Sequence, residues 1–448
     1  MTEPKTINRR EFIKRSSVAG VGLGLAAPYM SSKVLGANNN ITVGIIGVGA
    51  RAHQHIDAIN QISGVEVVAV CDAYKGRNER AVERTGGKAK IYKNYKEIIS
   101  RKDVDTIIVA TPDHLHKKQI LDSLDAGKDV YCEKPLTYSV DDGPEIIAKV
   151  KQTGRIMQVG SQGMASIIQG RAKEIIASGK LGQITMIRAS YNRNTASGAW
   201  IYPIPPDASP KTVDWDMFLG SAPKRPFDLP RFFQWRCFWD YSGGIATDLF
   251  VHLCTTINYI MGAKVPQSAV AMADLYRWKE SRDVPDTVNG ALKYKEGFTV
   301  NLSGTFNNQS SPGAGFHILG TEGSIILGSS RLTFTPEHPV EDNRWVVRSW
   351  ASAQEKAYYN SPEIMKVETP ASWQPNVYSS TEVFEQEGLD ATVVHFQNFF
   401  DSVRARKQPV QDAAAGHHAA ACAHMINISS REERFVEWDD ARDTVKKA

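Results

Sequence analysis

The sequence predicts a doubly wound α/β domain followed by a larger α+β domain with an open, mostly antiparallel sheet. In the first third of the chain, short apolar runs alternate with helical segments, as expected for parallel strands joined by crossover helices. From about residue 180 the runs become longer and rich in Thr, Tyr, Phe and Val, which favours antiparallel strands. The two patterns indicate two domains, and 448 residues suffice for both cores.

The individual elements follow from the same patterns. Parallel strands are expected at 41–46, 65–70, 105–110, 129–132 and 156–159, with helices at 114–126 and 140–153. Strands of the second sheet are expected at 184–192, 268–277, 290–294, 299–306, 315–319 and 324–327. Residues 336–381 are polar and rich in Trp and Pro, which predicts an irregular insertion, and helices are expected at 391–406 and 413–431.

Composition limits the function classes. Hydrophobic content of 42% and charged content of 23% are those of a soluble globular protein. The formal net charge of +4 comes entirely from residues 1–37, so the body is near neutral and nucleic acid is not an expected partner. The five cysteines have neither C-x-x-C pairs nor metal-type spacing, so we expect buried thiols and no metal site.

Residues 1–37 resemble a twin-arginine export signal. Arg9 and Arg10 precede a Gly/Ala-rich apolar run at 18–28, and small residues follow at 34–37. The run is too short to span a bilayer stably, so we expect a periplasmic or otherwise exported protein without a membrane span after signal removal. The sequence does not define a cleavage point, so an uncleaved, membrane-tethered form is one alternative. The other is an amphipathic tail that contains two arginines.

A glycine-rich turn follows the first strand and predicts a Rossmann dinucleotide-binding domain at 38–162. Gly47 would make the tight turn, Gly49 would let the backbone approach a pyrophosphate, and Ala52 is small enough for helix–strand packing. Ala50 and Arg51 open the next helix and are expected at the cofactor.

An acidic residue ends the second strand, where such folds bind the adenosine ribose. Asp72 stands 20 residues beyond Ala52, and a carboxylate there accepts hydrogen bonds from ribose hydroxyls and repels a 2′-phosphate. NAD is therefore favoured over NADP, although Arg77 and Arg80 weaken that preference.

Two further segments follow strands at the same carboxyl edge. Thr111, Pro112, His114 and His116 are expected to pack against the nicotinamide end. The two histidines are two residues apart and share no helical face, so we expect no metal there. Lys134 lies just beyond the strand at 129–132 and is interpreted as the residue that connects cofactor and substrate; the alternative is a solvated lysine.

The second domain supplies the other candidate residues. Asp248 and His252 share a face if their segment is helical. Such a pair could be an acid/base pair, two metal ligands or an ordinary surface pair. An aromatic segment at 231–241 contains Arg236 and Asp240, which could bind sugar hydroxyls or belong to the core. Tyr191, Asn192 and Arg193, at a strand end, are further candidate substrate contacts.

These motifs occur in a fixed order that resembles the Gfo/Idh/MocA oxidoreductases, the relatives of glucose–fructose oxidoreductase and inositol dehydrogenase. The resemblance covers about residues 41–435 and rests on Gly47-x-Gly49 with Asp72, Thr111-Pro112-x3-His116, Glu133-Lys134-Pro135, Gly243-Gly244-x3-Asp248-x3-His252 and Gly320-Thr-Glu-Gly323. It implies a substrate-binding and oligomerisation domain at 163–448, whose C-terminal helices pack back on the body.

The resemblance also implies a mechanism. Hydride would pass between a sugar, glycoside or polyol hydroxyl carbon and NAD, with His252 as general base at a pKa near the working pH. Lys134 would stabilise the developing alkoxide, and Asp248 would hold His252 or a sugar hydroxyl. Glu133 would be structural, beside the cofactor, and the Lys134–Pro135 bond would be cis.

Further expectations and two alternatives remain. The cofactor is expected to stay bound and to be recycled by a second substrate, and a homodimer or homotetramer is expected from the open sheet face. One alternative is a glycoside hydrolase that uses bound NAD for transient oxidation and elimination. The other is a non-catalytic sugar-binding relative.

Overall fold

The computed structural model describes residues 40–447, except 311–312, 338–340, 369–380 and 387–389. The expected export segment at 1–37 lies outside these residues. Within the described part of the chain, no helix has the length and apolarity that a membrane crossing requires.

The first sheet has six strands in the order β3-β2-β1-β4-β5-β6, all parallel. Its strands are β1 (Ile41–Ile46), β2 (Val65–Cys71), β3 (Lys90–Ile91), β4 (Thr106–Val109), β5 (Asp129–Glu133) and β6 (Met157–Gly160). The helices between them are α1 (Ala50–Ile59), α2 (Lys75–Arg84), α3 (Tyr95–Ile99), α4 (His116–Asp125) and α5 (Asp142–Thr153). The predicted doubly wound domain is confirmed; the short β3 and the helices α2 and α3 were not among the predicted elements.

The second sheet has ten strands in the order β14-β13-β12-β11-β7-β10-β9-β8-β15-β16, and only the β7–β10 pair is parallel. The strands are β7 (Ile184–Asn192), β8 (Ser268–Asp274), β9 (Thr287–Lys293), β10 (Thr299–Thr305), β11 (Gly313–Gly320), β12 (Gly323–Leu327), β13 (Arg331–Pro336), β14 (Glu382–Glu385), β15 (Val436–Asp439) and β16 (Thr444–Val445). The predicted open, mostly antiparallel sheet is confirmed.

Two local predictions for the second part of the chain were wrong, one for a strand and one for the insertion. The strand expected at 268–277 ends at Asp274, because the next backbone N–H groups, including those of Arg277 and Trp278, donate to the Asp286 carboxylate. The expected irregular insertion contains short helices whose ends are tied together, since Asn343 Nδ2 donates to Glu368 Oε2 at 2.9 Å and to the Tyr358 hydroxyl at 3.0 Å.

The helices of the second part are α6 (Ile167–Ala177), α7 (Trp215–Leu219), α8 (Leu229–Phe233), α9 (Val251–Met261), α10 (Arg344–Val347), α11 (Ser352–Tyr359), α12 (Ile364–Val367), α13 (Ala391–Ala405) and α14 (Ala413–Glu432). A π-helical turn, Ala246–Phe250, leads directly into α9. Helices α9 and α14 pack on one face of the large sheet and form its core with strands β8 to β10.

The C-terminal helix α13 returns to the first sheet. Its Phe396, Phe399 and Phe400 are fully buried in one core with Ile45 of β1 and Tyr131 of β5. The Tyr131 and Phe396 rings stack with centroids 4.4 Å apart. The chain therefore leaves the second sheet after β14 and completes the core of the first domain.

Candidate active site

A cavity of about 270 Å³ lies at the carboxyl ends of the parallel strands, where open α/β sheets bind their ligands. One wall comes from the first domain and consists of Arg51, Ala110, Thr111, Asp113, Glu133 and Lys134. The other wall follows β6 in the sequence and consists of Gln162, Arg193, Trp200, Tyr202, Trp235, Arg236, Asp248 and His252. Charged side chains from two domains therefore face one space.

The glycine turn has the geometry that a pyrophosphate needs. Gly47 has φ +82°, and a Cβ there would lie 2.8 Å from the backbone of Ala110, so only glycine fits. A Cβ on Gly49 would meet nothing closer than 4.0 Å, so open space lies before it. Helix α1 begins at Ala50 without a side-chain cap, which leaves its first N–H groups for an anion. The residues present therefore fit a dinucleotide.

Asp72 is fixed beside this turn by backbone hydrogen bonds. Its two carboxylate oxygens accept from the N–H groups of Val48 and Tyr74, each at 2.8 Å. Each oxygen keeps a second lone pair that can accept from a ribose hydroxyl. Arg77 lies 3.8 Å from Asp72 and over the ring of Phe232, so a positive charge is also near the expected ribose position.

The loop after β4 is held by its histidines. Both nitrogens of His116 lie near carbonyl oxygens, Nδ1 at 2.8 Å from that of Pro135 and Nε2 at 2.9 Å from that of Thr111. His114 Nε2 lies 2.9 Å from the Phe218 carbonyl oxygen. Thr111 lines the cavity, whereas His114, His116 and Pro112 do not. His116 therefore joins the two loops that carry Thr111 and Lys134, and His114 ties the first of them to the end of α7.

Glu133 forms a buried cluster, here called the Glu133 cluster, with three donors. Its Oε1 accepts from Gln162 Nε2 at 2.7 Å, His55 Nε2 at 2.8 Å and Arg51 Nε at 3.2 Å. Burial alone would raise the pKa of Glu133, but the hydrogen bond and charge of His55 and the charge of Arg51 hold it well below its usual range. Glu133 is therefore a charged anchor for α1, which carries two of these donors.

Lys134 reaches across the cavity to the second domain. Its Nζ donates to the Asp248 backbone oxygen at 2.8 Å and to Asp248 Oδ1 at 2.9 Å, and Arg236 Nε donates to the same Oδ1 at 2.9 Å. We call these three residues the Asp248 cluster. Burial would raise the pKa of Asp248, but the charges of Lys134 and Arg236 hold it well below its usual range. The Lys134–Pro135 bond is cis, as the resemblance implied.

His252 lines the cavity one helical turn after Asp248. Burial, and next the positive charge of Lys134, lower the pKa of His252 to about 3. The expectation of a pKa near the working pH was therefore wrong; the free ring is neutral and is a weak base. Among the described residues, the Asp248 carboxylate hydrogen-bonds Lys134 and Arg236 rather than His252.

The structure brings only some of the expected substrate contacts to this cavity. Arg236 lines it, but the Asp240 carboxylate accepts from Arg225 Nε at 2.6 Å and Arg231 Nη1 at 2.9 Å and lies outside its lining, as does Tyr191. Sequence reasoning did not single out Asp113, Gln162, Trp200 or Tyr202, which do line it. Only Asp113 had a signal, its place in the loop after β4.

The π-helical turn places Asp248 at this cavity. The turn is preceded by Gly244 at φ +63°, where any side chain would be strained. Asp248 lies in this turn. Helix α9 begins directly after the turn, at Val251, and His252 lies in the first turn of that helix. Such π turns are frequent at functional sites.

Two family models match the chain. The model described as the oxidoreductase family, NAD-binding Rossmann fold, matches residues 41–161, and the GFO/IDH/MocA C-terminal domain matches residues 218–326. Levoglucosan dehydrogenase in complex with NADH and levoglucosan has the same fold, with a TM-score of 0.64 and 19% identity over 89% of this chain and 99% of that one. The WlbA dehydrogenase from Bordetella pertussis, in complex with NADH and UDP-GlcNAcA, matches with a TM-score of 0.63 and 19% identity, over 90% of this chain and 99% of that one.

Sequence relatives agree with the family models. Inositol 2-dehydrogenase from Salmonella typhimurium is 35% identical over 158 residues, which are 35% of this chain and 47%, about half, of that enzyme. The 1,5-anhydro-D-fructose reductase of Ensifer adhaerens is 25% identical over 65% of this chain and 77% of its own length. Alpha-N-acetylgalactosaminidase from Shewanella oneidensis is 28% identical over 41% of this chain and 46% of its own length. With a matching NAD-binding domain, a matching C-terminal domain and these relatives, the chain belongs to the Gfo/Idh/MocA oxidoreductase family.

Proposed function

We propose that the protein is an NAD(H)-dependent oxidoreductase that moves hydride between a hydroxyl carbon of a sugar, glycoside or polyol and the nicotinamide. The observation that carries the proposal is the Asp248 cluster, in which Lys134 of the first domain meets Asp248 and Arg236 of the second beside the neutral ring of His252. The names of two relatives, inositol 2-dehydrogenase and 1,5-anhydro-D-fructose reductase, support a substrate with several hydroxyl groups.

The chemistry of the cluster follows from its hydrogen bonds. A lysine ammonium has three N–H donors, and two of those on Lys134 are taken by Asp248. The third remains for the oxygen of the reacting hydroxyl, where it stabilises the negative charge that develops as the carbon loses hydride. Bound nicotinamide supplies the hydride acceptor in this chemistry.

His252 is assigned the proton. Because burial lowers the pKa of His252 to about 3, the ring is neutral at physiological pH and has no proton to lose first. A ring with so low a pKa is a weak base, so it takes the hydroxyl proton together with hydride loss, when the forming carbonyl makes that proton acidic. Asp248 fixes the ammonium of Lys134 and the guanidinium of Arg236 through one oxygen, so it orients both cations toward the substrate. Trp235, with Arg236 stacked 4.2 Å over its ring, offers an apolar surface for a sugar ring.

Product mass tests this proposal. The protein is incubated with a panel of glucosides and galactosides and a keto acceptor, and the products are weighed by mass spectrometry. A product two hydrogens lighter with its glycosidic bond intact is expected. Unchanged substrate under all conditions would refute the oxidoreductase and favour a sugar-binding relative.

A hydrolase is the second candidate, because the chain is 28% identical over 214 residues to an alpha-N-acetylgalactosaminidase. Transient oxidation by bound NAD would then be followed by elimination of the aglycone, addition of water and reduction. The same incubation separates the two, since a hydrolase releases free sugar and aglycone without net oxidation.

We also propose that NAD, rather than NADP, stays bound and that the protein is exported. Asp72, beside the glycine turn where the ribose is expected, and Arg9-Arg10 in the first segment support these two points. Absorbance of nucleotide released by heat after gentle gel filtration tests retention, and NAD should elute with the protein. Cell fractionation of wild type and of the Arg9→Lys/Arg10→Lys variant tests export.

A homo-oligomer formed through the second sheet completes the proposal. On the face away from the core, Met272 is 79% exposed, Ile326 59% and Val270 45%, an arrangement that a second copy would cover. Light scattering after gel filtration should give a dimer or tetramer, and Met272→Glu should reduce it to a smaller species.

A further inference from the structure

Two arginines on the second-domain wall of the cavity keep open hydrogen-bond donors. Arg193 follows β7 directly, Arg236 belongs to the aromatic segment, and both line the cavity. Arg193 Nη1 donates to the Gly198 carbonyl oxygen at 3.1 Å, and Arg236 Nε donates to Asp248. A guanidinium has five N–H donors, so most remain without a partner among the described residues. They are not enclosed by protein, since the Arg236 side chain is 26% exposed and Arg193 is half-buried.

The loop after β7 fixes the position of Arg193. Its backbone N–H donates to the Thr305 carbonyl oxygen at 2.9 Å, and its guanidinium lies 5.0 Å from the centroid of the Tyr191 ring. The Gly198 N–H donates to Thr195 Oγ1 at 2.9 Å and closes a turn. A Cβ on Gly198 would lie 3.2 Å from that of Arg193, so the arginine stem packs on this turn. The guanidinium is therefore held at the cavity.

Tyr202 lies near both arginines. It lines the cavity, and the positive charges of Arg236 and Arg193 both act on its phenol. Burial nevertheless raises the pKa of Tyr202, so the hydroxyl keeps its proton and is a further donor. The two guanidinium groups and this hydroxyl therefore form one group of donors on the wall.

The second-domain wall carries more positive than negative charge. Among its described residues Asp248 is the only carboxylate, and its Oδ1 accepts from Arg236 and also from Lys134 of the first domain. Arg193 has no ion-pair partner in the described part of the chain. One further negative charge would therefore balance the wall.

The first-domain wall does not supply that charge. Its Glu133 is matched by Arg51 in the Glu133 cluster. Burial, followed by the negative charge of Asp248, raises the pKa of Asp113 to about 7, so this group carries less than a full charge near neutral pH. A neutral sugar would exclude water from Arg193 without giving it an opposite charge, whereas a carboxylate brings both the charge and paired acceptors.

We propose that the substrate is an acidic sugar, such as a uronic acid or its glycoside, whose carboxylate is bound by Arg193 and Arg236. This inference rests on the proposed function and names the substrate class of the same site. The planar fork of an arginine binds both oxygens of a carboxylate. Because Arg236 shares Asp248 with Lys134, the bound carboxylate lies on the same substrate as the reacting hydroxyl.

The cofactor offers a competing explanation, because its phosphates are also anions. The pyrophosphate is expected at the glycine turn, where Arg51 lies in the first turn of α1, and Arg193 and Arg236 stand on the opposite wall. A purely structural role of Arg193 in the loop after β7 is the other explanation. Both are separated from the proposal by ligands that differ in charge.

The experiment uses the protein saturated with NAD+. It is titrated with methyl β-D-glucuronide, the uncharged amide of that uronide, methyl β-D-glucopyranoside and the 6-phosphate of this glucoside, and with the galacto form of each. Dissociation constants come from tryptophan fluorescence, since Trp235 lies beside Arg236 at the cavity, and kcat/KM comes from NAD+ reduction. We expect wild type to bind a uronide roughly 10- to 100-fold more tightly than its amide, the range of charge-assisted hydrogen bonds.

Three variants locate this preference for the uronide over its amide. Arg193→Gln should reduce it at least about fivefold. Arg193→Lys keeps the charge without the planar fork, so it should retain part of the preference, and it replaces the first variant if that one does not fold. Arg277→Gln is the matched control, because Arg277 is exposed and donates to Asn194 of the same loop from outside the cavity lining. It should keep the whole preference.

Five results would overturn the inference. Wild type could bind no uronide more tightly than its amide, or the preference could be the same in wild type and in both Arg193 variants. An equal loss in Arg277→Gln would mean a general effect of positive charge. Weaker NAD+ binding by Arg193→Gln with the preference intact would assign the arginine to the cofactor. Tighter binding of a 6-phosphate than of the uronide would replace the carboxylate by a phosphate.

The inference and the proposed function fail separately. NAD+ reduction with neutral glycosides, without any preference for a uronide, would refute the carboxylate site and leave the oxidoreductase. A uronide preference that Arg193→Gln reduces, with no NAD+ reduction by any of the ligands, would refute the oxidoreductase and leave the carboxylate site.

Discussion

Glu133 and Lys134 are neighbours in the sequence but belong to two different clusters. The Glu133 carboxylate points back into the first domain, to donors on α1 and in the turn after β6. The Lys134 ammonium points forward to Asp248, 114 residues later in the chain. Both clusters hold a buried carboxylate whose pKa is depressed by nearby positive charge.

The two clusters differ in what remains for a ligand. Glu133 collects three donors on one oxygen and is a finished structural unit. The Asp248 cluster leaves one N–H of Lys134 and the ring of His252 facing the cavity. We therefore expect changes in the Glu133 cluster to affect stability and changes in the Asp248 cluster to affect turnover, and the following predictions test that division.

The largest effect is expected for Lys134→Met. Loss of the donor to the reacting oxygen should lower kcat by about 10³-fold, near the upper end for one such donor, while NAD stays bound. Steady-state kinetics and nucleotide content measure the two properties. Lys149→Met, which removes an ammonium paired with Asp125 at the surface, is the control and should keep full turnover. Turnover within tenfold of wild type would contradict the role of Lys134.

Glu133→Gln should act on stability. Removing the charge from a buried group with several charged or polar donors should lower the free energy of unfolding by about 3–5 kcal/mol, measured by urea unfolding. Because the pKa of Glu133 is depressed in the folded state, this stabilisation is present above the usual carboxyl pKa and is lost as pH falls below about 4.

The deficit of Glu133→Gln should therefore be largest near neutral pH and shrink in acid. Glu145→Gln is the matched control, since its carboxylate is 57% exposed and pairs with Lys117 on the surface. It should change stability by no more than about 1 kcal/mol. Equal effects of the two substitutions would remove the distinction between a structural cluster and a surface pair.

Asp113→Asn should change stability with the opposite dependence on pH. The pKa of Asp113 is raised to about 7 by burial, so the folded protein binds this proton more tightly than the unfolded chain does. Wild-type stability should therefore fall as pH rises from about 4 to 7, and the variant lacks this loss. It should be equal to wild type near pH 4 and about 2–4 kcal/mol more stable at pH 8. A difference in stability between Asp113→Asn and wild type that does not change with pH would contradict a raised pKa of Asp113 in the folded protein.

The smallest effect is expected for Asp240→Asn. This carboxylate forms ion pairs with Arg225 and Arg231 outside the cavity, so its loss should leave kcat/KM within about twofold of wild type and cost about 1 kcal/mol of stability.

The contrasting variant is Arg236→Gln, four residues earlier. It should lower kcat/KM at least tenfold, because Arg236 lines the cavity and binds Asp248. A tenfold loss in Asp240→Asn would restore the substrate role expected from sequence.

The sequence predicted features that depend on neighbouring residues better than features that depend on residues far apart in the chain. The turn at Gly47 and Gly49 was predictable because its requirements, a tight bend and a close backbone approach, are local. The family resemblance assigned Lys134 and Asp248 to one site, since no local pattern joins residues 114 positions apart. Their direct pairing was not predicted, because Asp248 was expected to hold His252 or a sugar hydroxyl.

The remaining site residues depend on the assembled fold. The charged, aromatic segment at 231–241 suggested a sugar site, but whether Arg236 or Asp240 faces the cavity depends on which partners each finds. The low pKa of His252 results from burial, and the raised pKa of Asp113 from burial and from the negative charge of Asp248. Neither can be read from residue types and spacing.

The central claim, hydride transfer at the Asp248 cluster, is tested most directly by following one hydrogen. A glycoside turned over by the protein is prepared with deuterium on the carbon that is oxidised, and the nicotinamide is recovered after a single turnover without an acceptor. We expect deuterium in the reduced nicotinamide of wild type and none with Lys134→Met. Deuterium lost to solvent or kept in the sugar, with nicotinamide unlabelled, would contradict it.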